Sequence, residues 1–275
     1  MRKVIFYISN YHTVPDRSKK NPLVCANWKM NKTLSESVDY FIALQNQIEH
    51  YHNIDVVVFP SSIALAFLSE LREPHSSLSL GAQNIHAGKC GPYTGELSIE
   101  QVHEFVQYVL IGHSERRMFF CESEDRVADK VYDCFQHPKI FPVLCIGETQ
   151  EIRNAGHTLS ELVRLLEDAL EGITEDVGRL VIAYEPYWAI SDGKTPAHTP
   201  TPDDVYHATA IIRDWLIEKY GADIAQQVRI LYGGSVTSDN AADLYTQGKV
   251  DGFLVGGASL SCESFLHILD QVVSS

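Results

Sequence analysis

A chain of 275 residues, 45% hydrophobic and 21% charged, holds enough apolar material for one enzyme-sized domain. Its formal net charge of -14, from 22 Lys and Arg against 36 Asp and Glu, argues against nucleic-acid and membrane-surface partners, which require clustered basic residues. A small anionic ligand is compatible with that charge only if locally aimed donors overcome the acidic field.

The opening stretch, MRKVIFYISNYHTVPDRSKKN, has an apolar run too short for the core of a secretory signal. It is set apart as an N-terminal extension over residues 1–22, with no role assigned, ahead of one catalytic domain over residues 23–275. Six cysteines, Cys25, Cys90, Cys121, Cys134, Cys145 and Cys262, show neither Cys-x-x-Cys pairing nor zinc-like spacing to histidine. They read as free thiols of a reducing compartment, the cytoplasm, and no metal is expected. No run approaches the roughly 20 apolar residues of a membrane-spanning helix, so a soluble protein is expected.

Short apolar, β-branched runs then follow in chain order: LVCANW, IDVVVF, LSLGAQ, YVLIG, IFPVLCIG, RLVIAYE, VRILYGG and VDGFLVGG. Between them, LSESVDYFIALQNQIEH, SELVRLLEDALEGI and PDDVYHATAIIRDWLIEKY return apolar residues every three or four positions, as amphipathic helices do. Strands apolar on both faces and separated by helices indicate a parallel sheet. Eight such units, none with the polar character of an edge strand, predict a single closed (β/α)8 TIM barrel rather than an open sheet. Thr33 or Ser35 can cap the first long helix, and Pro202 followed by Asp203 and Asp204 starts another with acids at its positive end. The strongest break, SDGKTPAHTPTPDD (Ser191–Asp204), exceeds a simple strand-to-helix turn and reads as a functional lid.

In a parallel barrel the strand C-termini open on one face, so residues just past them converge whatever their separation in sequence. Asn27 and Lys29 follow the first strand, His113 the fourth, Glu185 the sixth, Gly233-Gly234-Ser235 the seventh and Gly256-Gly257 the eighth. Two glycine-containing exits side by side can turn backbone N–H groups toward an anion, and a phosphate is the natural occupant. Taken singly, Lys29 reads as a surface lysine, His113 as a structural histidine, Glu185 as a salt-bridged rim acid and Gly-Gly as a plain turn. Their joint occurrence on one barrel face is what points to a site.

ANWKMN (Ala26–Asn31), GAQN to GPYTGE (Gly81–Glu96), IGHSERR (Ile111–Arg117), AYEPYWAI (Ala183–Ile190), YGGSV (Tyr232–Val236) and DGFLVGGASL (Asp251–Leu260) together resemble the triosephosphate isomerase family, over roughly residue 22 to the end. The resemblance implies a cofactor-independent aldose-ketose isomerase that interconverts dihydroxyacetone phosphate and D-glyceraldehyde 3-phosphate through an enediolate. It implies Glu185 as base, Asn27, Lys29 and a neutral His113 as electrophiles, and Glu115 as an acid beside them. Backbone N–H groups at Ser191, Ser235, Gly256 and Gly257 would bind the substrate phosphate. A lid would run through Pro186, Tyr187, Trp188, Ala189, Ile190, Ser191, Asp192, Gly193, Lys194, Thr195 and Pro196, with Glu148 and Tyr184 bonding alternately to Trp188. The His86–Glu96 loop would enter a neighbouring subunit of a homodimer, Thr94 reaching the other active site; composition alone reads it equally as a solvated turn.

The lid departs from the family, which usually carries Gly-Thr where this chain has Ser191-Asp192. Pro196 removes a backbone N–H that the family lid donates to the tyrosine matching Tyr232, extra residues follow it, and Tyr187 is bulkier than the usual hinge residue. Two alternatives therefore stand beside the triose reading: a relative remodelled for tetrulose phosphates, and a barrel that binds sugar phosphates without turnover.

Overall fold

The computed structural model describes residues 20–73, 76–189 and 200–275. Eight parallel strands, β1 (Leu23–Asn27), β2 (Asp55–Phe59), β3 (Leu78–Ala82), β4 (Tyr108–Ile111), β5 (Phe141–Ile146), β6 (Val181–Tyr184), β7 (Arg229–Tyr232) and β8 (Gly252–Val255), close in sequence order. Leu23 of β1 stands opposite both Asp55 of β2 and Gly252 of β8, which is the closure itself. Each predicted apolar run contains its strand. The last predicted residue of most runs lies past the strand end, on the mouth where the exits converge.

Side-chain alternation explains why the strands carry no polar face. Leu23 and Cys25 point into the barrel with Val57, Phe59, Tyr108, Leu110, Val143, Cys145, Val181, Leu231 and Leu254. Val24 and Ala26 point outward into a second core shared with the helices, among them Phe41, Leu44, Leu166, Ile212 and Phe265. Phe59 fills the interior so closely that a Cβ at Gly81 would lie 2.1 Å from its ring, so glycine there is a packing requirement.

Local chemistry starts the helices. Thr33, not Ser35, caps Leu34–Ile48 in a reciprocal box with Glu36, and Thr201 caps Pro202–Tyr220 in the same way with Asp204. Such caps stabilise a helix by about 1 kcal/mol each. Arg179 departs from its expected strand: it ends a short 3-10 turn, and its buried guanidinium donates to the carbonyls of Phe135 (2.7 Å) and His137 (2.9 Å). It thereby satisfies carbonyls left open at the end of the Glu124–Phe135 helix.

Charges close the other end of the barrel. Arg229 donates to Asp55 (2.6 Å) and to the Tyr108 hydroxyl (3.1 Å), while Asp251 accepts from Arg213 (2.7 Å) and pairs with Lys20 (2.8 Å). The expected extension over residues 1–22 lies outside the described residues except for its last three.

A third buried cluster ties the β4 exit to the β3 exit. Glu122 accepts from Arg116 (2.9 Å) and from Lys130, and Lys130 also donates to Asn84 (2.7 Å). Burial alone would raise the Glu122 carboxyl, but the hydrogen bonds and charges of Lys130 and Arg116 outweigh it and hold the group below its ordinary value. Because the folded value lies below the unfolded one, this stabilisation is complete above the ordinary carboxylate range and disappears as pH falls through the depressed value. Lys130→Met, which leaves part of that buried charge uncompensated, should lower unfolding free energy by about 3 kcal/mol, measured by urea denaturation at pH 7. The loss relative to wild type should shrink in strong acid, where Glu122 is protonated.

Candidate active site

At the C-terminal mouth lies a cavity of about 330 Å³ whose walls include Asn27, Lys29, His113, Glu185, Ser235, Gly256 and Gly257. With Gly233 and Gly234, all nine residues named from the strand exits therefore share one space, of a volume suited to a small ligand. Glu115 joins them through Lys29, whose Nζ lies 2.7 Å from Glu115 Oε1.

Asn27 ends β1 and is buried, and its Oδ1 accepts from the Lys29 N–H at 3.0 Å. Lys29 has φ +53°, a left-handed conformation that costs a residue with a side chain about 1–2 kcal/mol. Gln83 offsets this strain: its amide donates to the carbonyls of Lys29 (2.8 Å) and Phe59 (2.9 Å), bridging the exits of β1 and β2. Gln83 sits in the quoted GAQN stretch, yet nothing in an amide's chemistry marked it as a support for lysine.

His113 follows β4 and caps the short helix Ser114–Phe119, its Nδ1 accepting from the Glu115 N–H at 3.2 Å. An accepting Nδ1 puts the proton of a neutral ring on Nε2, and an imidazolium could not accept there. Nε2 lies 3.3 Å from Glu185 Oε1.

Glu185 is 1% exposed, one residue past β6, and its Oε2 accepts from the Ser114 N–H at 3.0 Å. The donor is the first residue of the helix that His113 caps, so one short turn orients both groups. Two glycines make room. A Cβ at Gly147 would lie 1.9 Å from the Glu185 carbonyl oxygen, and one at Gly233 would lie 2.8 Å from Glu185 Cγ. Burial pushes the neighbouring Cys145 thiol well above its ordinary value, and the Glu185 carboxylate pushes it further, so that thiol stays protonated.

Opposite these groups, the β7 and β8 exits supply a rim with little side chain. Asn240 donates to the Ser235 carbonyl (3.1 Å), Ser259 donates to the Gly256 carbonyl (2.7 Å), and Gly257 begins a 3-10 turn. Tyr232 places its hydroxyl beside Gly234, where a Cβ would meet it at 2.1 Å.

Of the expected lid, Pro186, Tyr187, Trp188 and Ala189 are described, the last three as a 3-10 turn, while Ile190, Ser191, Asp192, Gly193, Lys194, Thr195 and Pro196 lie outside the described residues. Glu148 Oε1 accepts from Trp188 Nε1 and from the Tyr184 hydroxyl, each at 3.0 Å. The two donors share one oxygen here. In the His86–Glu96 loop, Gly88 N–H donates to Asp133 (2.6 Å), the His86 ring stacks on Tyr93 (4.0 Å), and Cys90 through Glu96, including Thr94, are exposed. All six cysteines are free. Among the described residues no cluster of His, Cys, Asp and Glu could hold a metal ion, and no helix is long and apolar enough to cross a membrane.

A closed (β/α)8 barrel with a polar, glycine-rimmed cavity at its C-terminal mouth defines the class: a barrel protein built to take a small polar ligand. Comparison with known proteins narrows it. The family profile described as triosephosphate isomerase matches residues 22–272. A triosephosphate isomerase of Alkaliphilus metalliredigens is 40% identical over 255 residues, covering 91% of this chain and 99% of the relative. That of Alkaliphilus oremlandii is 39% identical over the same shares, and that of Carboxydothermus hydrogenoformans is 40% identical over 252 residues, 91% and 98%. The chain belongs to the triosephosphate isomerase family, whose activity is the isomerisation of a sugar phosphate.

The glycine at 233 gives a direct check on the site. Gly233→Ala should displace Glu185 by several tenths of an ångström or more and lower isomerase kcat by about 10²-fold, the size of effect that a small displacement within a site produces. Circular dichroism should show the barrel retained.

Proposed function

We propose that the protein interconverts dihydroxyacetone phosphate and D-glyceraldehyde 3-phosphate, with Glu185 as base and His113, Lys29 and Asn27 as electrophiles. One observation carries this reading: a buried carboxylate and the His113 imidazole, 3.3 Å apart, face the same cavity. Glu185 takes the proton from the hydroxyl-bearing carbon next to the carbonyl. The Nε2–H of His113, the Lys29 ammonium and the Asn27 amide stabilise the negative charge that grows on the two oxygens, and the proton returns to the neighbouring carbon. Proton number and oxidation state balance within the substrate, so no cofactor takes part.

Glu115, held against Lys29, keeps that ammonium at the cavity wall. Backbone N–H groups at Ser235, Gly256 and Gly257, with Ser191 of the lid, take the phosphate; Lys29 supplies the positive charge that an acidic chain needs to attract a dianion. The lid reading spans Pro186 to Pro196 and excludes water from an intermediate that would otherwise lose phosphate. Residues 23–275 form the one catalytic domain, and residues 1–22 an extension. The free thiols fit a cytoplasmic enzyme, and the triose interconversion would make it glycolytic. A homodimer is supported by apolar side chains exposed around the mouth, Met30, Tyr93, Phe119 and Phe120, which a second copy would cover together with the His86–Glu96 loop.

A coupled assay comparing kcat/KM for glyceraldehyde 3-phosphate with that for a tetrulose phosphate tests the substrate. A triose value approaching about 10⁸ M⁻¹s⁻¹ is expected, and a better tetrulose value would replace the triose reading. Glu185→Gln should lower turnover at least about 10²-fold while leaving phosphate-ligand affinity nearly unchanged; equal loss of both would remove Glu185 from its role, and binding without any turnover by wild type would favour a sensor. Thr94→Arg should shift sedimentation velocity from dimer toward monomer, and an unchanged dimer would place the interface elsewhere.

A further inference from the structure

Arg153 does not line the cavity, yet it touches the turn that follows the base. It sits on the short helix Gln150–Asn154 just beyond β5. Its guanidinium carbon lies 4.2 Å from the centre of the Trp188 ring, and its Nη2 lies 2.6 Å from Asp204 Oδ1. Asp204 is itself fixed, since its carboxylate accepts from the Thr201 N–H and hydroxyl, both at 2.9 Å. Burial would raise the Asp204 carboxyl, but hydrogen bonds from Thr201 and Arg153 outweigh it, so the group stays ionised and the ion pair persists at neutral pH.

The other face of the arrangement leads back to Glu185. Trp188 is held by Glu148 through its ring N–H, and the Glu148 carbonyl accepts from the Tyr187 N–H at 3.1 Å. Ala189 N–H closes the turn on the Pro186 carbonyl at 2.8 Å. The backbone from Glu185 to Ala189 is therefore clamped between Glu148 on one side and Arg153 on the other. Only a planar cation can stack on an indole and present an edge to a carboxylate at the same time, which explains arginine rather than lysine at this position.

We propose that Arg153 is a positioning residue for the isomerase reaction: wedged between Trp188 and Asp204, it fixes the Trp188 turn and, through it, the setting of Glu185 against His113 and the Ser114 N–H. The proposal rests on the isomerase reading above. It predicts that stacking, rather than charge, carries the effect.

The test compares wild type, Arg153→Lys and Arg153→Met. Arg153→Lys keeps a cation for Asp204 but loses the stack. Both variants should lower kcat about tenfold with KM within about twofold, and Arg153→Lys should keep a melting temperature close to that of wild type. Protein labelled with 5-fluorotryptophan gives a ¹⁹F resonance for each of the three tryptophans, with Trp188 assigned by Trp188→Phe. The Trp188 resonance should shift or broaden in both variants while those of Trp28 and Trp215 hold still. An unchanged kcat in Arg153→Lys, or a Trp188 resonance identical to that of wild type, overturns the proposal. Failure of the isomerase reading would show separately, as absence of turnover by wild type, and the ¹⁹F comparison would still decide whether Arg153 holds the turn.

Discussion

The hydrogen bond from the Ser114 N–H to the Glu185 carboxylate is the contact on which the site depends. A carboxylate this deeply buried would be costly without donors, and a hydrogen bond to a charged group contributes about 1.5–3 kcal/mol. It joins the exit of β6 to that of β4 and so places Glu185 against the Nε2 of His113. Everything around it makes that approach feasible. Gly147 and Gly233 leave room where any side chain would collide, and His113, by capping the helix that Ser114 begins, aims the donor.

The two ends of the barrel divide stability from chemistry. At the N-terminal mouth Arg229, Asp55, Tyr108, Arg213 and Asp251 are matched donor to acceptor. At the C-terminal mouth polar groups are left facing an open cavity, and Lys29 adopts a strained backbone that Gln83 holds in place. Strain and exposed donors reduce stability, and the interlocked inner and outer cores supply the margin that tolerates them.

Much of this was readable from the chain. Short apolar runs buried on both faces, alternating with helical periodicity, lead to a closed parallel barrel, and barrel geometry then gathers Asn27, Lys29, His113 and Glu185 at one mouth. The supporting residues were not readable. Gln83 contacts Lys29 from 54 positions away, and Arg153 reaches Trp188 and Asp204, so their roles arise from proximity between segments whose local patterns say nothing of each other. Arg179 was read as the start of a strand because it adjoins an apolar run, while its guanidinium in fact serves the carbonyls at the end of a helix more than 40 positions earlier.

By itself the amino-acid order determined the periodicities, the helix starts near Thr33 and at Pro202, and which chemically able residues stand at strand exits, because these follow from interactions within a few positions along the chain. Tertiary structure alone decided which ring nitrogen of His113 faces Glu185, which donor holds Glu185 and why glycine is required at 147 and 233. Those outcomes depend on distances between β4, β5, β6 and β7 that exist only once the barrel has closed.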